Sequence, residues 1–289
     1  MYTKQNSWLL YALIYTFLAG IWGAFIEMPE KAGFPATLGY VVWAVTMILP
    51  AVVVWKRAGW ALDKGRQAIR YGMMIGLTGA AGQLILFQAL RTGPAYLVFP
   101  FVSLSPLVTI LLSLWLLKEK ASSGVWLGII VALVAIPLLS YQPPENGQKY
   151  GFLWVVLALM VFLLWGVQAY FMKVANNHMK AESIFFYMMI SGLVLIPVAI
   201  LMTDFSIPVN WGFKGPYLAA GIQLLNSLAA LCLVYAFRYG KAIVVSPLTN
   251  AGAPVITIIL SLLVYSVFPH TIILVGMCLA VLAIVLLAV

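Results

Sequence analysis

The chain has 289 residues, 64% of them hydrophobic and 8% charged, where soluble domains average roughly half and about a quarter. That composition excludes an ordinary soluble domain. The formal charge of +9, from 16 Lys and Arg against 7 Asp and Glu, must be explained by where the basic residues sit.

Taken in chain order, the apolar runs predict ten membrane-spanning helices. Five lie at 8–26, 35–55, 69–90, 95–117 and 122–140, and five more at 150–172, 182–202, 214–237, 242–267 and 270–289. At roughly 20 residues per span, ten spans leave only short connections and no room for a soluble domain. With the N-terminus cytoplasmic, the inner connections hold twelve basic residues: Lys4, Lys56, Arg57, Lys64, Arg66, Arg70, Lys118, Lys120, Lys173, Lys180, Arg238 and Lys241. The outer connections hold four, Lys31, Arg91, Lys149 and Lys214. This asymmetry follows the positive-inside rule, predicts both termini in the cytoplasm, and accounts for the basic excess without a nucleic-acid partner. Trp55, Trp60, Trp115 and Trp126 near inner ends, with Trp154 and Trp211 near outer ends, read as headgroup anchors. The first span reads as a retained helix rather than a cleaved signal. The end at Val289, with no basic residue after it, reads as a trimmed terminus. Cys232 and Cys278 lie in apolar runs without C-x-x-C spacing and read as packing residues.

The two halves match each other at offsets of 143 to 148 residues. Trp22-Gly23 matches Trp165-Gly166, and Tyr40 and Pro50 match Tyr187 and Pro197. Arg91, Gly93, Ala95 and Pro100 match Arg238, Gly240, Ala242 and Pro247, and Pro106, Thr109 and Ser113 match Pro254, Thr257 and Ser261. Gly128, Ala132, Ala135 and Ile136 match Gly276, Ala280, Ala283 and Ile284. Five spans is an odd number, so the second half enters the membrane from the opposite side. The expected fold is an all-α polytopic membrane protein of two inverted five-helix repeats, 1–145 and 146–289, forming one transmembrane domain. Inverted repeats supply the pseudosymmetry for alternating access, with a solute site near the midplane.

The segment Ala89 to Lys120 carries an Ala-Leu start, a short Gly-containing loop, Ser105-Pro106 and a closing Lys118-Glu119. With Trp22-Gly23 and Trp165-Gly166 it resembles the ten-helix, EamA-type branch of the drug/metabolite transporter superfamily, over essentially the whole chain. The second copy, Ala236 to Phe268, keeps Ala253-Pro254 but has no acidic residue where Glu119 would align. The resemblance implies transport of a small organic solute, drawn from amino acids, nucleotide sugars, triose phosphates, purines and organic cations. The expectation is therefore a secondary-active carrier of an amino acid, similar metabolite or organic cation in the inner membrane, working as an exporter. A passive facilitator or channel-like pore is the alternative.

Polar groups inside spans are either interhelical glue or part of a solute path. Gln223, Asn226, Ser227 and Ala230 share one face of the eighth helix, and Gly72, Gly76, Gly79 and Gln83 share one face of the third. Asn250, Pro254, Thr257 and Ser261 stripe the ninth, matched by Ser105, Pro106, Thr109 and Ser113. The candidate solute-binding residues are Trp22, Gln83, Gln168, Gln223, Asn226, Tyr235 and Asn250, and Pro106 and Pro254 are candidate paired bends. Arg91 and Arg238 read as headgroup anchors or gating contacts. Glu27 is the candidate proton-coupling carboxylate, since a carboxylate held in low dielectric has a raised pKa. Pro29 argues against its pairing with Lys31. His178 and His270 fall on opposite sides, and no Walker motif occurs. Catalytic residues, metal and cofactor are therefore not expected; the expected partners are solute and lipid, with the protein a monomer or homodimer.

Overall fold

The computed structural model describes residues 7–93, 95–141, 151–265 and 269–288, and the regular structure among them is helical. A helix satisfies its own backbone within one segment, which apolar surroundings require. The first half contains α1 (Ser7–Phe25), α2 (Glu27–Lys31), α3 (Ala36–Thr46), α4 (Ile48–Arg57), α5 (Arg66–Thr92), α6 (Ala95–Ser103), α7 (Pro106–Trp115) and α8 (Ser123–Leu139). The second contains α9 (Leu153–Asn176), α10 (Ala181–Val194), α11 (Ile196–Leu201), a π-helical turn over Phe213–Tyr217, α12 (Leu218–Tyr239), α13 (Ala242–Tyr265) and α14 (Thr271–Ala288). The expected boundary between repeats lies outside the described residues, as do Lys4 and Lys149.

Seven stretches among the described residues are long and apolar enough to cross a membrane: Ser7–Lys31, Ala36–Arg57, Arg66–Thr92, Leu153–Asn176, Ala181–Leu201, Phe213–Tyr239 and Ala242–Val264. Phe101–Trp115, Ser123–Leu139 and Thr271–Leu287 are apolar but shorter. The 17 residues of α8 reach about 25 Å at a rise of about 1.5 Å each, against a hydrocarbon core of roughly 30 Å. The outer surface is apolar, with Leu10, Phe17, Leu111, Ile130, Leu263 and Val285 all exposed. This is a polytopic membrane fold.

Proline sets where the helices break, because it removes a backbone donor and crowds the preceding turn. The second expected span divides at Met47, three residues before Pro50, and the seventh divides at Leu195, two before Pro197. These breaks fall at matching places in the two halves. Pro106 starts α7 after a turn at Leu104 and Ser105, whereas α13 runs unbroken through both Pro247 and Pro254. Pro106 and Pro254, expected as paired bends, therefore sit differently: Pro106 opens a helix after a break, and Pro254 lies inside a continuous one.

Packing crosses between the halves. Helix α1 lies along α12 and α13, and α9 lies along α5 and α7, so the first long helix of each half is clasped by the third and fourth of the other. Helices α8 and α14 pack on each other. Small residues allow this approach, as they do wherever helices meet without a hydrophobic drive. A Cβ at Gly23 would stand 2.5 Å from Thr257 Oγ1, and one at Gly166 would stand 2.7 Å from the Ser105 carbonyl oxygen. Tyr187, Ser191 and Gln168 fill the seats beside Gly72, Gly76 and Gly79. The glycine face of α5 is a helix-packing surface; a side chain at any of these positions would hold α9 or α10 away.

Candidate functional site

The expected solute residues divide into three groups. The first is a set of bonds across the middle of the bundle. Trp22 Nε1 on α1 donates to Gln223 Oε1 on α12 at 3.1 Å, and Thr46 Oγ1 lies 3.0 Å from Ser227 Oγ. On the other half, Trp165 Nε1 donates to the Gly79 carbonyl at 3.3 Å, and Gln168 packs on the same glycine. Two threonines repeat one device: Thr109 Oγ1 donates to the Gly166 carbonyl and Thr257 Oγ1 to the Gly20 carbonyl, each at 3.0 Å. Each thus ties the fourth long helix of one half to the first of the other.

The second group is unengaged. Gln83 and Asn226 are half-buried and make no hydrogen bond among the described residues. Beside these expected residues, the indole N–H of Trp43, which the sequence did not single out, is buried without a partner among the described residues. A half-buried amide that no protein group satisfies is suited to water or to a solute. The third group has other work. Asn250 Nδ2 donates back to Ser246 O of its own helix, 2.9 Å away. Tyr235 stands away from the others near the end of α12, donating to Glu182 Oε1 at 2.6 Å.

The Trp22–Gln223 pair gives a direct expectation. Gln223 is 5% exposed, so Trp22→Phe leaves its carbonyl oxygen without a donor. The variant should lose about 1–3 kcal/mol of stability, read as a lower melting temperature in detergent. An unchanged melt would mean that water replaces the indole.

At the ends of the helices the structure shows polar work that sequence reading missed. Asp63, between α4 and α5, reaches α10: its Oδ2 accepts from Lys180 N at 2.8 Å and from Ser183 Oγ at 2.9 Å. Its backbone N–H donates to Ser183 Oγ at 3.0 Å, and its carbonyl accepts from Tyr187 Oη at 2.8 Å. Lys180, the N-cap of α10, supplies no side-chain cap, so Asp63 caps that helix from another part of the chain. At the opposite end, Asn210 stands 147 residues after Asp63, and its N–H donates to Gly33 O at 3.0 Å and its Nδ2 to Ala32 O at 2.8 Å. Gly33 stands 147 residues before Lys180. The same junction is thus fastened at both ends, by a carboxylate at one and an amide at the other.

Glu119, the acidic member of Lys118-Glu119, accepts from the N–H groups of Ala242 and Ile243, both at 3.1 Å, and caps α13. Lys173 Nζ donates to Phe237 O at 3.1 Å and Gly240 O at 2.6 Å, covering the C-terminal carbonyls of α12. Arg91 donates to Met202 O at 3.4 Å and Arg238 to Met179 O at 3.0 Å, so each contacts a connection of the protein itself. Only the Lys118-Glu119 motif hinted at any of this.

Glu27 differs from its expectation. Its side chain is 66% exposed and pairs with Lys31 Nζ at 2.6 Å. Helix α2 accommodates Pro29 in its first turn, where a missing N–H costs little, so the i,i+4 pairing that Pro29 was expected to weaken forms. The carboxylate expected to be held in low dielectric is thus exposed and ion-paired. Glu182 instead is the carboxylate set among aromatic groups, in a cleft of about 260 Å³ with Tyr11, Arg57, Cys232 and Tyr235.

Comparison with known proteins agrees with this architecture. The family profile described as the EamA-like transporter family matches twice, over residues 6–141 and 152–289. The chain is 25% identical over 242 residues to the pseudopaline exporter CntI of Pseudomonas aeruginosa, covering 83% of this chain and 82% of that protein. It is 30% identical over 100 residues, 35% of this chain, to an uncharacterized protein of Methanocaldococcus jannaschii. One solved crystal structure of a protein superposes with a TM-score of 0.77 at 17% identity, covering 96% of this chain and 97% of that one, and shows the shared fold. With both halves matched by its profile, the chain belongs to the EamA-like transporter family, whose members are membrane transporters and not enzymes.

Proposed function

We propose that the protein is a secondary-active exporter of a small organic solute, working by alternating access in the inner membrane. Ten spans form two inverted five-helix repeats, 1–145 and 146–289, with both termini cytoplasmic. The observation that carries this reading is the pair of junctions at opposite ends, Asp63 on α10 and Asn210 on the turn before α3. An alternating-access carrier needs one closure on each side, related by the pseudo-two-fold and broken in turn. The matched breaks near Pro50 and Pro197, with the break at Pro106, provide places where the halves bend. Gln83, Asn226 and Trp43 line the solute path, and the Trp22–Gln223 bond and Gln168 border it. The name of the Pseudomonas relative, an exporter, supports the outward direction.

Two measurements test the proposal. A cysteine at Lys64 should be protected from an impermeant thiol reagent in intact cells, and one at Ser206 should label. Ser206 is exposed and suits this purpose, whereas the Asn210 side chain holds the turn before α3. In liposomes, saturable uptake with counterflow of labelled solute identifies a carrier. Unsaturable flux without counterflow would make the protein a pore, and reversed labelling would overturn the orientation.

A further inference from the structure

Two clefts occupy corresponding places in the two halves. The cleft of about 260 Å³ lies between α1, α4, α10 and α12, with Leu231, Cys232 and Tyr235 on its α12 wall. A second, of about 370 Å³, lies between α5, α9 and α11, and its α5 wall carries Ala81 and, beyond it, Leu84, Ile85 and Gln88. These three stand 147 residues before Leu231, Cys232 and Tyr235. The clefts are thus one feature of the repeat, opening toward opposite ends, yet their chemistry differs. Gln88 is the polar side chain of the second, whose other lining residues, Leu157, Val198 and Met202 among them, are apolar. The first holds a carboxylate, a guanidinium and two phenols.

The arrangement of those groups narrows what they recognise. Tyr11 stacks on Tyr235 with ring centroids 5.0 Å apart and planes 21° from parallel, making an aromatic wall. Tyr235 donates to Glu182 Oε1, fixing the carboxylate beside that wall, and Oε2 accepts no hydrogen bond among the described residues. Arg57 lines the same cleft, yet forms no ion pair with Glu182 and no hydrogen bond among the described residues. Opposite charges across a small cavity that do not meet leave each free for a ligand. A carboxylate beside aromatic rings suits an ammonium group, and a guanidinium suits a carboxylate. The volume is below the roughly 300 Å³ at which pockets for drug-sized ligands begin.

We propose that this cleft is the loading site for a small zwitterionic solute, whose ammonium is held by Glu182 and the Tyr11–Tyr235 wall and whose carboxylate is held by Arg57. The assignment rests on the transporter reading and deepens it. The charged cleft opens to the side where solute is collected. Its apolar counterpart presents no opposing charges, so the same solute is held weakly there and leaves.

The test uses the purified full chain in detergent, its melting followed with each common amino acid and then with the methyl ester and N-acetyl derivative of the one that shifts it most. At least one amino acid should raise the melting temperature, and both derivatives, each lacking one charge, should lose most of the shift. Glu182→Gln, which keeps an acceptor for Tyr235, and Arg57→Gln should each weaken binding about tenfold or more, while Arg57→Lys recovers part. The unliganded melting temperatures of the variants verify that they fold. No stabilisation by any amino acid, derivatives that bind as well as the parent zwitterion, or Gln variants that bind normally would each overturn the site. Liposome counterflow separates the two levels of the reading. If both Gln variants carry solute as the parent does, the cleft is not the loading site and the carrier stands; if the parent carries no solute of any kind, both readings fall.

Discussion

Replacing Asp63 by Ala should open the end of the molecule at which α4 turns into α5. The change removes two hydrogen bonds accepted by one carboxylate, from Lys180 N and Ser183 Oγ, and leaves the first turn of α10 uncapped. Loss of a cap costs about 0.5–2 kcal/mol, and charged hydrogen bonds fall in the range of roughly 1.5–3 kcal/mol. That is enough to move the balance between closed and open forms about tenfold, since each 1.4 kcal/mol is a factor of about ten. Cys232 is a natural reporter, because it lines the cleft at this end. With Cys278, the other described free cysteine, changed to Ser, maleimide modification of Cys232 should run several-fold to about tenfold faster in Asp63→Ala than in the parent. Asn210→Ala loosens the opposite end and should slow the same reaction or leave it unchanged. Equal rates in parent and Asp63→Ala would reduce the Asp63 junction to a static cap without a part in opening. Asp63→Asn should fall between, because the amide oxygen still accepts but without charge, as Asn210 is an amide at the other end.

The second large effect concerns the crossing of α7 and α9. Gly166→Ala places a methyl group against the Ser105 carbonyl oxygen and the Val108 side chain. Backbone at the start of α7 cannot move aside as a side chain can, and Thr109 would lose its bond to the Gly166 carbonyl as the helices part. Overpacking of this kind costs about 1–3 kcal/mol, occasionally more. The matching Gly23→Ala meets the side chain of Thr257 instead, which can rotate at the expense of its bond to Gly20. The expected order of melting temperatures in detergent is therefore parent, then Gly23→Ala, then Gly166→Ala. Gly221→Ala is the control, since nothing stands near that position and alanine favours a helix by roughly 0.5–1 kcal/mol. A Gly166→Ala protein as stable as the control would show that α7 and α9 approach less closely than described.

Much of this architecture is legible along the chain because hydropathy and charge act locally. A run of apolar residues such as 153–176 must become a helix in lipid whatever surrounds it, and basic residues resist translocation wherever they occur. The internal match at offsets near 147 likewise needs no three-dimensional knowledge. It pairs Thr109 with Thr257, and both donate to a glycine carbonyl of the first long helix of the other half, although the glycine that Thr257 reaches is Gly20 and not the sequence-matched Gly23. Trp22 and Gln223 were both legible as candidates, since aromatic and amide groups inside spans must find partners.

Which partner each group finds was settled by tertiary packing alone. The rotation of a helix about its axis depends on where its neighbours approach, so the glycine face of α5 became a packing surface while Gln83 and Asn226 were left unengaged. Asp63 read as an ordinary connection residue, and Glu119 only as the close of a motif, until the structure set them against the first turns of α10 and α13, more than a hundred positions away in the chain. Glu27 had the most promising local setting of any acidic residue, but the turn after α1 carries it outward to Lys31. Glu182 drew no notice, yet it lies with Arg57 and Tyr11 in one cleft because three distant helices converge there. Composition and periodicity act through the solvent and determine which segments cross the membrane; the joining of charges across a bundle depends on how those segments are turned toward one another, and that is decided only when they pack.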